Sequence, residues 1–273
     1  IKNAVSKDTK VVYALGSTLA GEPVVPIPAS ALTVNGTDPG LKAEYFNNQE
    51  LRGPAATIRT DERIDFDWGR YNPTPELSGN NFSVRWTGKL KAPESGNYTL
   101  GFTADDGARL YLDGKLLVDA WASNPTKTVT TEIALEGGRS YDLRMEYFQN
   151  NRENIAKFVW SYPRLTERLL EEAVKAAKES DVSVLVLGIS ARLEGEEMPV
   201  TVAGFRGGDR TEISLPKSQE ALLKAVAATG KPVVVVLLSG SALAVNWAND
   251  NVPAILAAWY PGGEGGTAIA DVL

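Results

Sequence analysis

Ser183-Val-Leu-Val-Leu-Gly188 is an unbroken apolar run that ends at a glycine, and it decides the fold class of this chain. A second run, Val233-Val-Val-Val-Leu-Leu238, has the same length and also lacks charged residues. Short apolar runs of this kind are typical of strands that are buried on both faces. The two runs therefore predict a parallel sheet with both of its faces covered.

Helical patterns alternate with these two strands. Apolar residues spaced by four predict an amphipathic helix that begins near Leu165, with lysines near its end. The other predicted elements are a helix over 217–229, a strand over 254–259 and a helix from Gly265. Strands that alternate with helices indicate an α/β fold.

The middle of the chain follows a different pattern. Residues 41–162 hold most of the aromatic side chains, in alternating runs such as Phe82-Ser-Val-Arg-Trp-Thr87, and they are punctuated by Asp-Gly and Gly-Gly turns. This predicts an antiparallel β-sandwich. Upstream of it, Lys10-Val-Val-Tyr-Ala-Leu15 predicts a further buried strand of the α/β sheet. We therefore predict an α/β domain that is interrupted by an all-β insertion: a first strand and linker over 1–39, the sandwich over 40–163, and the rest of a truncated α/β-sandwich domain over 164–273.

Composition excludes several kinds of chemistry. The 273 residues include no cysteine and no histidine, so disulfides, thiol nucleophiles, Ser-His-Asp triads and histidine-bound zinc are excluded. The net charge of −6 and the absence of a basic run argue against a nucleic-acid partner. No apolar stretch reaches the length of about 18 residues that a membrane helix needs. Any catalysis must therefore use carboxylates, Lys, Tyr, Ser or bound ions.

The loop after the strand at 183–188 concentrates charged side chains. Ligands of open parallel sheets bind at the carboxyl ends of the strands, and this loop leaves one of them. Crowded glutamates in an enclosed site can raise one pKa enough to make a general acid. The alternative is a solvated acidic loop. The residues concerned are Arg192, Glu194, Glu196, Glu197, Arg206, Asp209 and Arg210.

Two other segments have alternative interpretations. Asp105, Asp106 and Asp113 supply the oxygen ligands that calcium prefers, yet Asp-Gly pairs also form ordinary turns. The glycine-rich segment Trp259-Tyr-Pro-Gly-Gly-Glu-Gly-Gly266 opens a predicted helix, as phosphate-binding loops do, but it lacks the established phosphate-binding spacings. A tight turn packed against an aromatic ring is the favoured interpretation.

Several motifs of the α/β part occur together in one order. They resemble the C-terminal α/β-sandwich domain of glycoside hydrolase family three, which contains β-glucosidases and β-xylosidases. The matching motifs are Ser183-Val-Leu-Val-Leu-Gly188, Leu193-Glu-Gly-Glu-Glu-Met198, Gly207-Gly-Asp-Arg210, Leu215-Pro216, Gln219, Lys231-Pro-Val-Val-Val-Val236, Ser239-Gly240, Ala257-Ala-Trp-Tyr-Pro-Gly262 and Gly265-Gly266.

The sandwich resembles the protective-antigen-type domain that is inserted in some of these hydrolases and also found in microbial adhesins. The matching motifs are Gly40-Leu-Lys-Ala-Glu-Tyr-Phe46, Trp86-Thr-Gly88, Pro93-Glu-Ser-Gly-Asn-Tyr98, Asp105-Asp-Gly107 and Leu112-Asp-Gly114. In adhesin relatives the paired aspartates bind calcium. The resemblance therefore implies a calcium site at Asp105 and Asp106 as an alternative, although a cofactor-free domain is the favoured expectation.

The resemblance implies a retaining mechanism with an aspartate nucleophile and a glutamate acid/base. The family's acid/base motif maps onto Glu196, with Glu197 as the main competitor and Glu194 as a distant third. Asp209 and Arg210, with Arg192, are expected to support the loop and the substrate. The nucleophile of the family lies on a barrel domain in a Ser-Asp-Trp-like motif, which does not occur in this sequence. We therefore expect this chain alone to be inactive.

The expected partners are an oligosaccharide or aryl glycoside substrate and a barrel domain, on the same or a companion chain. No nucleic acid or membrane partner is expected, and the substrate class implies a periplasmic or extracellular location. The choice between glucoside and xyloside stays open. The alternative function is a carbohydrate-binding module, with or without calcium, on an inactive scaffold.

Overall fold

The computed structural model describes residues 1–20, 24–77, 81–150, 154–195, 200 and 202–273. The chain divides into two compact units, one formed by residues 23–163 and the other by residues 1–22 with 164–273. They are called the β unit and the α/β unit below. None of the helices in the described ranges is long and apolar enough to cross a membrane.

The β unit is built from short antiparallel strands and one 3₁₀ turn at Ala29–Ala31. Its strands are β1 (Val25–Pro26), β2 (Leu32–Thr33), β3 (Leu41–Phe46), β4 (Thr57–Asp61), β5 (Asp65–Gly69), β6 (Phe82–Lys91), β7 (Gly96–Asp105), β8 (Gly107–Leu112), β9 (Lys115–Ala120), β10 (Lys127–Leu135), β11 (Ser140–Gln149) and β12 (Asn154–Ser161). One sheet has the order β1-β12-β7-β10, with β5 also paired to β12. The other has the order β4-β3-β6-β11-β8-β9, with β2 also paired to β6.

Aromatic side chains fill the space between these two sheets. They come from alternate positions of the long central strands, because alternate side chains of a strand point to the same face. Phe66 stacks on Trp68 with ring centroids 4.5 Å apart, and Tyr147 lies 6.3 Å from both Trp68 and Trp86. The largest fully buried side chains include Trp86, Tyr45, Tyr98, Tyr147, Phe82, Phe102 and Phe158. The predicted β-sandwich is therefore confirmed.

The α/β unit contains a three-stranded parallel sheet. Its elements are α1 (Leu165–Lys178), β13 (Ser183–Gly188), the short strands β14 (Phe205–Arg206) and β15 (Asp209–Arg210), α2 (Lys217–Ala227), β16 (Val233–Leu238), α3 (Asn246–Asn251), β17 (Ala254–Ala257) and α4 (Gly265–Val272). The sheet order is β13-β16-β17, with Ser183 opposite Val233 and Val234 opposite Ala254. A partial parallel α/β fold combined with an all-β insertion is therefore confirmed.

One face of this sheet carries the core of the α/β unit. Leu187, Val233, Val235 and Leu237 lie on that face and form one cluster with the buried side chains of α1 and α2. The helices contribute Ala173, Ala177, Leu222, Leu223 and Val226. The apolar stripe that predicted α1 is the face that packs here, as expected for an amphipathic helix.

Three expectations for this unit differ from the structure. Residues 10–15 form no strand, and Val12 and Tyr13 are exposed, because no described strand edge pairs with this run. The sheet is also not covered everywhere on its second face, since Val186 of the edge strand β13 is 55% exposed. The long loop over 189–214 contains the β14–β15 hairpin, which its sequence did not suggest.

Candidate active site at the carboxyl edge of the parallel sheet

The three parallel strands end at one edge, and the long acidic loop leaves from the end of β13. A side-chain amide fixes that starting point. The Gly188 N–H donates to Oε1 of Gln219 at 2.6 Å, and Nε2 of Gln219 donates to the Gly188 carbonyl at 2.6 Å and to the Leu19 carbonyl at 2.5 Å. Gln219 is buried. The strand end therefore has a fixed position from which the loop departs.

Glu194 is the acidic residue that the structure places at this edge. Its Oε2 accepts hydrogen bonds from the Tyr260 hydroxyl and, at 3.2 Å, from the Gly240 N–H. Gly240 and Ser241 follow β16, and Tyr260 follows β17. The Glu194 side chain thus joins the loop after β13 to the loops after both neighbouring strands.

These contacts set the protonation states at the edge. Burial raises the pKa of Glu194, but hydrogen bonds from Ser241, Tyr260 and the Gly240 N–H lower it by more, and the net pKa is below its ordinary value. Burial and the hydrogen bond to Glu194 raise the pKa of the Tyr260 hydroxyl to about 12. At neutral pH Glu194 is therefore a carboxylate and Tyr260 a neutral donor.

Arg210 braces the same edge from the β14–β15 hairpin. Its guanidinium donates to the Glu212 carbonyl at 3.0 Å, to the Ser214 carbonyl at 3.2 Å and to the Ser241 hydroxyl at 3.2 Å. The hairpin turn Gly207-Gly208 has positive φ at both residues, which glycine adopts without strain. Arg210 thus has loop-supporting contacts, whereas Asp209 and Arg192 are both exposed.

The two foremost acid/base candidates, Glu196 and Glu197, lie outside the described residues. The structure does describe Gly195, which precedes them in the sequence. A Cβ atom on Gly208 would lie 1.6 Å from the Gly195 carbonyl oxygen, so the hairpin turn packs directly on the Gly195 backbone. Gly195, the residue before Glu196, is therefore held by its contact with Gly208 and by the hydrogen bonds of the preceding residue, Glu194.

The paired aspartates of the β unit are separated from Asp113. Asp106 Oδ1 accepts from the Ser123 hydroxyl at 2.5 Å and Oδ2 from the Asn150 N–H at 2.8 Å. Thr126 donates to Oδ2 of Asp105 at 3.0 Å. Asp113 instead binds the guanidinium of Arg139 and the backbone of Asp142. Within the described ranges, no three acidic side chains come close enough to form a metal site.

The glycine-rich segment after β17 forms a turn rather than an open loop. The Gly265 N–H donates to the Gly262 carbonyl at 2.9 Å, and Gly265 packs closely on Pro261. Tyr260 and Ser241 were not predicted as site residues. Their positions just after strands of a parallel sheet were the signal that could have identified them.

Two of the comparisons with known proteins match about half of the chain. The PA14 domain family matches residues 37–173, half of the chain. An anti-sigma-I factor of Acetivibrio thermocellus is 44% identical over 127 residues, which cover 46% of this chain and 20% of that protein. The PA14 match thus includes the β unit from residue 37 onward and most of α1.

Two further similarities span nearly the whole chain. A xylan 1,4-β-xylosidase of Xylanibacter ruminicola is 35% identical over 274 residues, covering 98% of this chain and 31% of the relative. The crystal structure of a β-glucosidase from Kluyveromyces marxianus in complex with glucose aligns with a TM-score of 0.56 at 23% identity, over 97% of this chain and 32% of that one. The chain spans about a third of the length of these two relatives, and the second similarity shows a shared fold.

Proposed function

We propose that this chain, which belongs to the PA14 domain family over residues 37–173, is a segment of a retaining β-glycosidase of glycoside hydrolase family three and that it supplies the general acid/base. The substrates would be short oligosaccharides or aryl glycosides with a terminal β-linked glucose or xylose. The relative named as a xylosidase supports this proposal, since it matches 98% of the chain.

The observation that carries the proposal is the position of the acidic loop. It leaves the carboxyl end of β13, and Glu194 ties it to the ends of the two neighbouring strands. Open parallel sheets bind their ligands at this edge. Glu196 and Glu197 follow directly in the sequence, and we assign the acid/base role to Glu196, with Glu197 as the competitor.

In this mechanism the glutamic acid protonates the leaving glycosidic oxygen while an aspartate attacks the anomeric carbon. The glutamate then takes a proton from the water that hydrolyses the glycosyl intermediate. Retaining enzymes hold the two carboxyl groups about 5–5.5 Å apart. The aspartate would come from a barrel domain, on the same or a companion polypeptide, that packs close to this edge.

Exposed apolar side chains in the α/β unit support such a partner domain. Val186 on the sheet and Trp259 beside Tyr260 are 55% and 64% exposed. Exposed apolar patches are typical of surfaces that another domain or a ligand covers. We also propose a periplasmic or extracellular location, in keeping with glycoside substrates that are met outside the cytoplasm.

The second candidate function is glycan binding by the β unit. It is favoured by the match of the PA14 domain family to residues 37–173, most of which lie in this unit. Calcium would need six to eight oxygen ligands. The carboxylates of Asp105 and Asp106, which accept hydrogen bonds from Thr126, Ser123 and the Asn150 N–H, would supply some of these ligands in the calcium-dependent version of this function.

The test uses the complete polypeptide that carries this chain, with aryl β-glucosides and aryl β-xylosides as substrates. The variants are Glu196→Ala and Glu197→Ala, with and without azide, and Glu172→Ala on the exposed face of α1 is the matched control. An activated aryl group leaves without acid assistance, and azide replaces the base-assisted water. We expect Glu196→Ala to lose activity and to regain it as a glycosyl azide.

The other outcomes separate the hypotheses. If Glu197→Ala loses activity and azide restores it, while Glu196→Ala stays active, the acid/base role belongs to Glu197. Unchanged activity in both variants overturns the proposed role of this segment. In that case, binding of β-glucan or xylan oligosaccharides to the β unit, measured by calorimetry with and without calcium, decides whether the second function applies.

A further inference from the structure

Glu194 accepts hydrogen bonds that favour its ionised form. Its Oε2 accepts from the Tyr260 hydroxyl and from the Gly240 N–H. A general acid must hold a proton in the free enzyme, whereas donors around a carboxylate stabilise its ionised form. The geometry therefore separates Glu194 from the acid/base role that its neighbours in the sequence are proposed to have.

The two donors connect elements that are far apart in the sequence. Tyr260 follows β17 and Gly240 follows β16, while Glu194 lies in the loop after β13. Hydrogen bonds to an ionised carboxylate are about twice as strong as those between neutral groups. Glu194 is thus a cross-link between the three loops that surround the carboxyl edge of the sheet.

The described part of the loop is held at both ends. Gln219 binds the N–H and the carbonyl of Gly188 at its start. At its other end Glu194 is bound by Tyr260, and the backbone of Gly195 packs against Gly208. Residues 188–195 are therefore fixed at both ends, and catalytic groups lose much of their effect when displaced by about 1 Å.

We propose that Glu194 and Tyr260 are positioning residues that hold the acid/base loop through the hydrogen bond between their side chains, and that neither acts as the general acid. This inference rests on the proposed function of the loop. It assigns to Glu194 a role as the acceptor of a fixed hydrogen bond, and to the Tyr260 hydroxyl the role of its donor.

The test compares two substrates of the complete polypeptide. A dinitrophenyl β-glycoside needs no acid for departure of its leaving group, whereas an alkyl β-glycoside does. We expect Tyr260→Phe and Glu194→Gln each to lower kcat/KM for the alkyl glycoside about tenfold, the effect of losing one charge-assisted hydrogen bond. The dinitrophenyl glycoside should lose less than about twofold, and azide should restore nothing. The double variant should lose no more than the worse single variant, because the two residues act through one bond.

Tyr13→Phe and Glu172→Gln are the matched controls, since Tyr13 and Glu172 are exposed residues of the same unit. Both should leave kcat/KM unchanged for the two substrates. A glycosyl azide formed by Glu194→Ala would make Glu194 the acid/base itself and overturn the proposal. Equal losses for the two substrates, or no loss for either, would also overturn it.

Failure of the proposed function can be distinguished from failure of the positioning role. If Glu196→Ala and Glu197→Ala both hydrolyse the alkyl glycoside normally, neither residue is the acid/base, and the positioning role that rests on them fails as well. If one of them shows azide rescue while Tyr260→Phe is fully active on the alkyl glycoside, only the positioning role is wrong.

Discussion

The β unit buries most of its large apolar side chains and, among the described residues, exposes Ile58, Tyr71 and Leu116, whereas the α/β unit leaves more of its own exposed. Trp86 and Tyr147 are fully buried between two sheets that cover each other. In the α/β unit, Tyr13, Val186 and Trp259 are 76%, 55% and 64% exposed. The difference shows that the β unit has a complete core of its own, while the α/β unit presents apolar surface that further structure could cover.

The largest expected effect contrasts a buried and an exposed tryptophan. Trp86→Ala empties a fully buried position and removes the hydrogen bond from Trp86 Nε1 to Asp61 at 2.8 Å, so it should cost about 3–5 kcal/mol of unfolding free energy. Trp259→Ala, at the exposed position, should cost less than about 0.5 kcal/mol. Urea denaturation of the chain, followed by circular dichroism, measures both. Equal costs would contradict the contrast between the units.

The next effect concerns a buried amide in the α/β unit. Gln219→Leu leaves the Gly188 N–H and carbonyl and the Leu19 carbonyl without the side chain that binds them. Buried backbone groups without partners cost about 1–3 kcal/mol each, so a loss of about 3 kcal/mol is expected. The exposed Glu172→Leu is the control, and denaturation of the two variants gives the comparison. A small loss would mean that water reaches Gly188 and that this end of β13 is open.

The buried polar side chain of the β unit that is comparable to Gln219 is the carboxylate of Asp61. Asp61 accepts from Tyr45, Trp86 and Arg59 at 2.6, 2.8 and 2.6 Å. Asp61→Asn removes the charge and replaces one acceptor oxygen by a donor, which should cost about 2 kcal/mol. Asp142→Asn is the matched control, because Asp142 pairs with Lys89 at the surface and should lose less than about 0.5 kcal/mol. Similar losses in thermal denaturation would argue against a special role for the network around Asp61.

Sequence patterns predicted the strands of both units but not their contacts. β13 and β16 were predicted with the residue bounds that the structure has, since runs of four to six apolar residues are typical of buried strands. Lys10-Val-Val-Tyr-Ala-Leu15 looks similar in sequence, yet it forms no strand, because strand formation depends on a partner edge that local sequence does not reveal. The hydrogen bond from Tyr260 to Glu194 joins residues 66 positions apart, and no local pattern specifies such a pair.

A smaller effect is a pH dependence in the α/β unit. The pKa of Glu194 is lower in the folded chain than its unfolded value of about 4.3. A lowered folded pKa contributes stability that is present above the unfolded pKa and is lost as pH falls through the folded pKa. The stability difference between the wild type and Glu194→Gln should therefore be constant above about pH 5.5 and shrink in more acidic solution. Denaturation at a series of pH values measures it, and a difference that grows toward low pH would contradict the ionised state of Glu194.

The smallest expected effect concerns Val186, an exposed side chain of β13 that further structure could cover. Val186→Thr replaces a methyl group by a hydroxyl at an exposed position and should change the stability of this chain by less than about 0.5 kcal/mol. Val235→Thr, at a fully buried position of the neighbouring strand, should cost about 1–3 kcal/mol.

The same pair in the complete polypeptide sharpens the comparison between the units. If a partner domain covers the edge strand, Val186→Thr should become costly there and approach the effect of Val235→Thr, because the hydroxyl would then be buried without a partner. If Val186→Thr stays neutral in the complete polypeptide, the exposed valine is ordinary surface, since single apolar side chains are common on folded proteins. The incompleteness of the α/β unit would then have to rest on Tyr13 and Trp259, at which the same comparison can be made with serine substitutions.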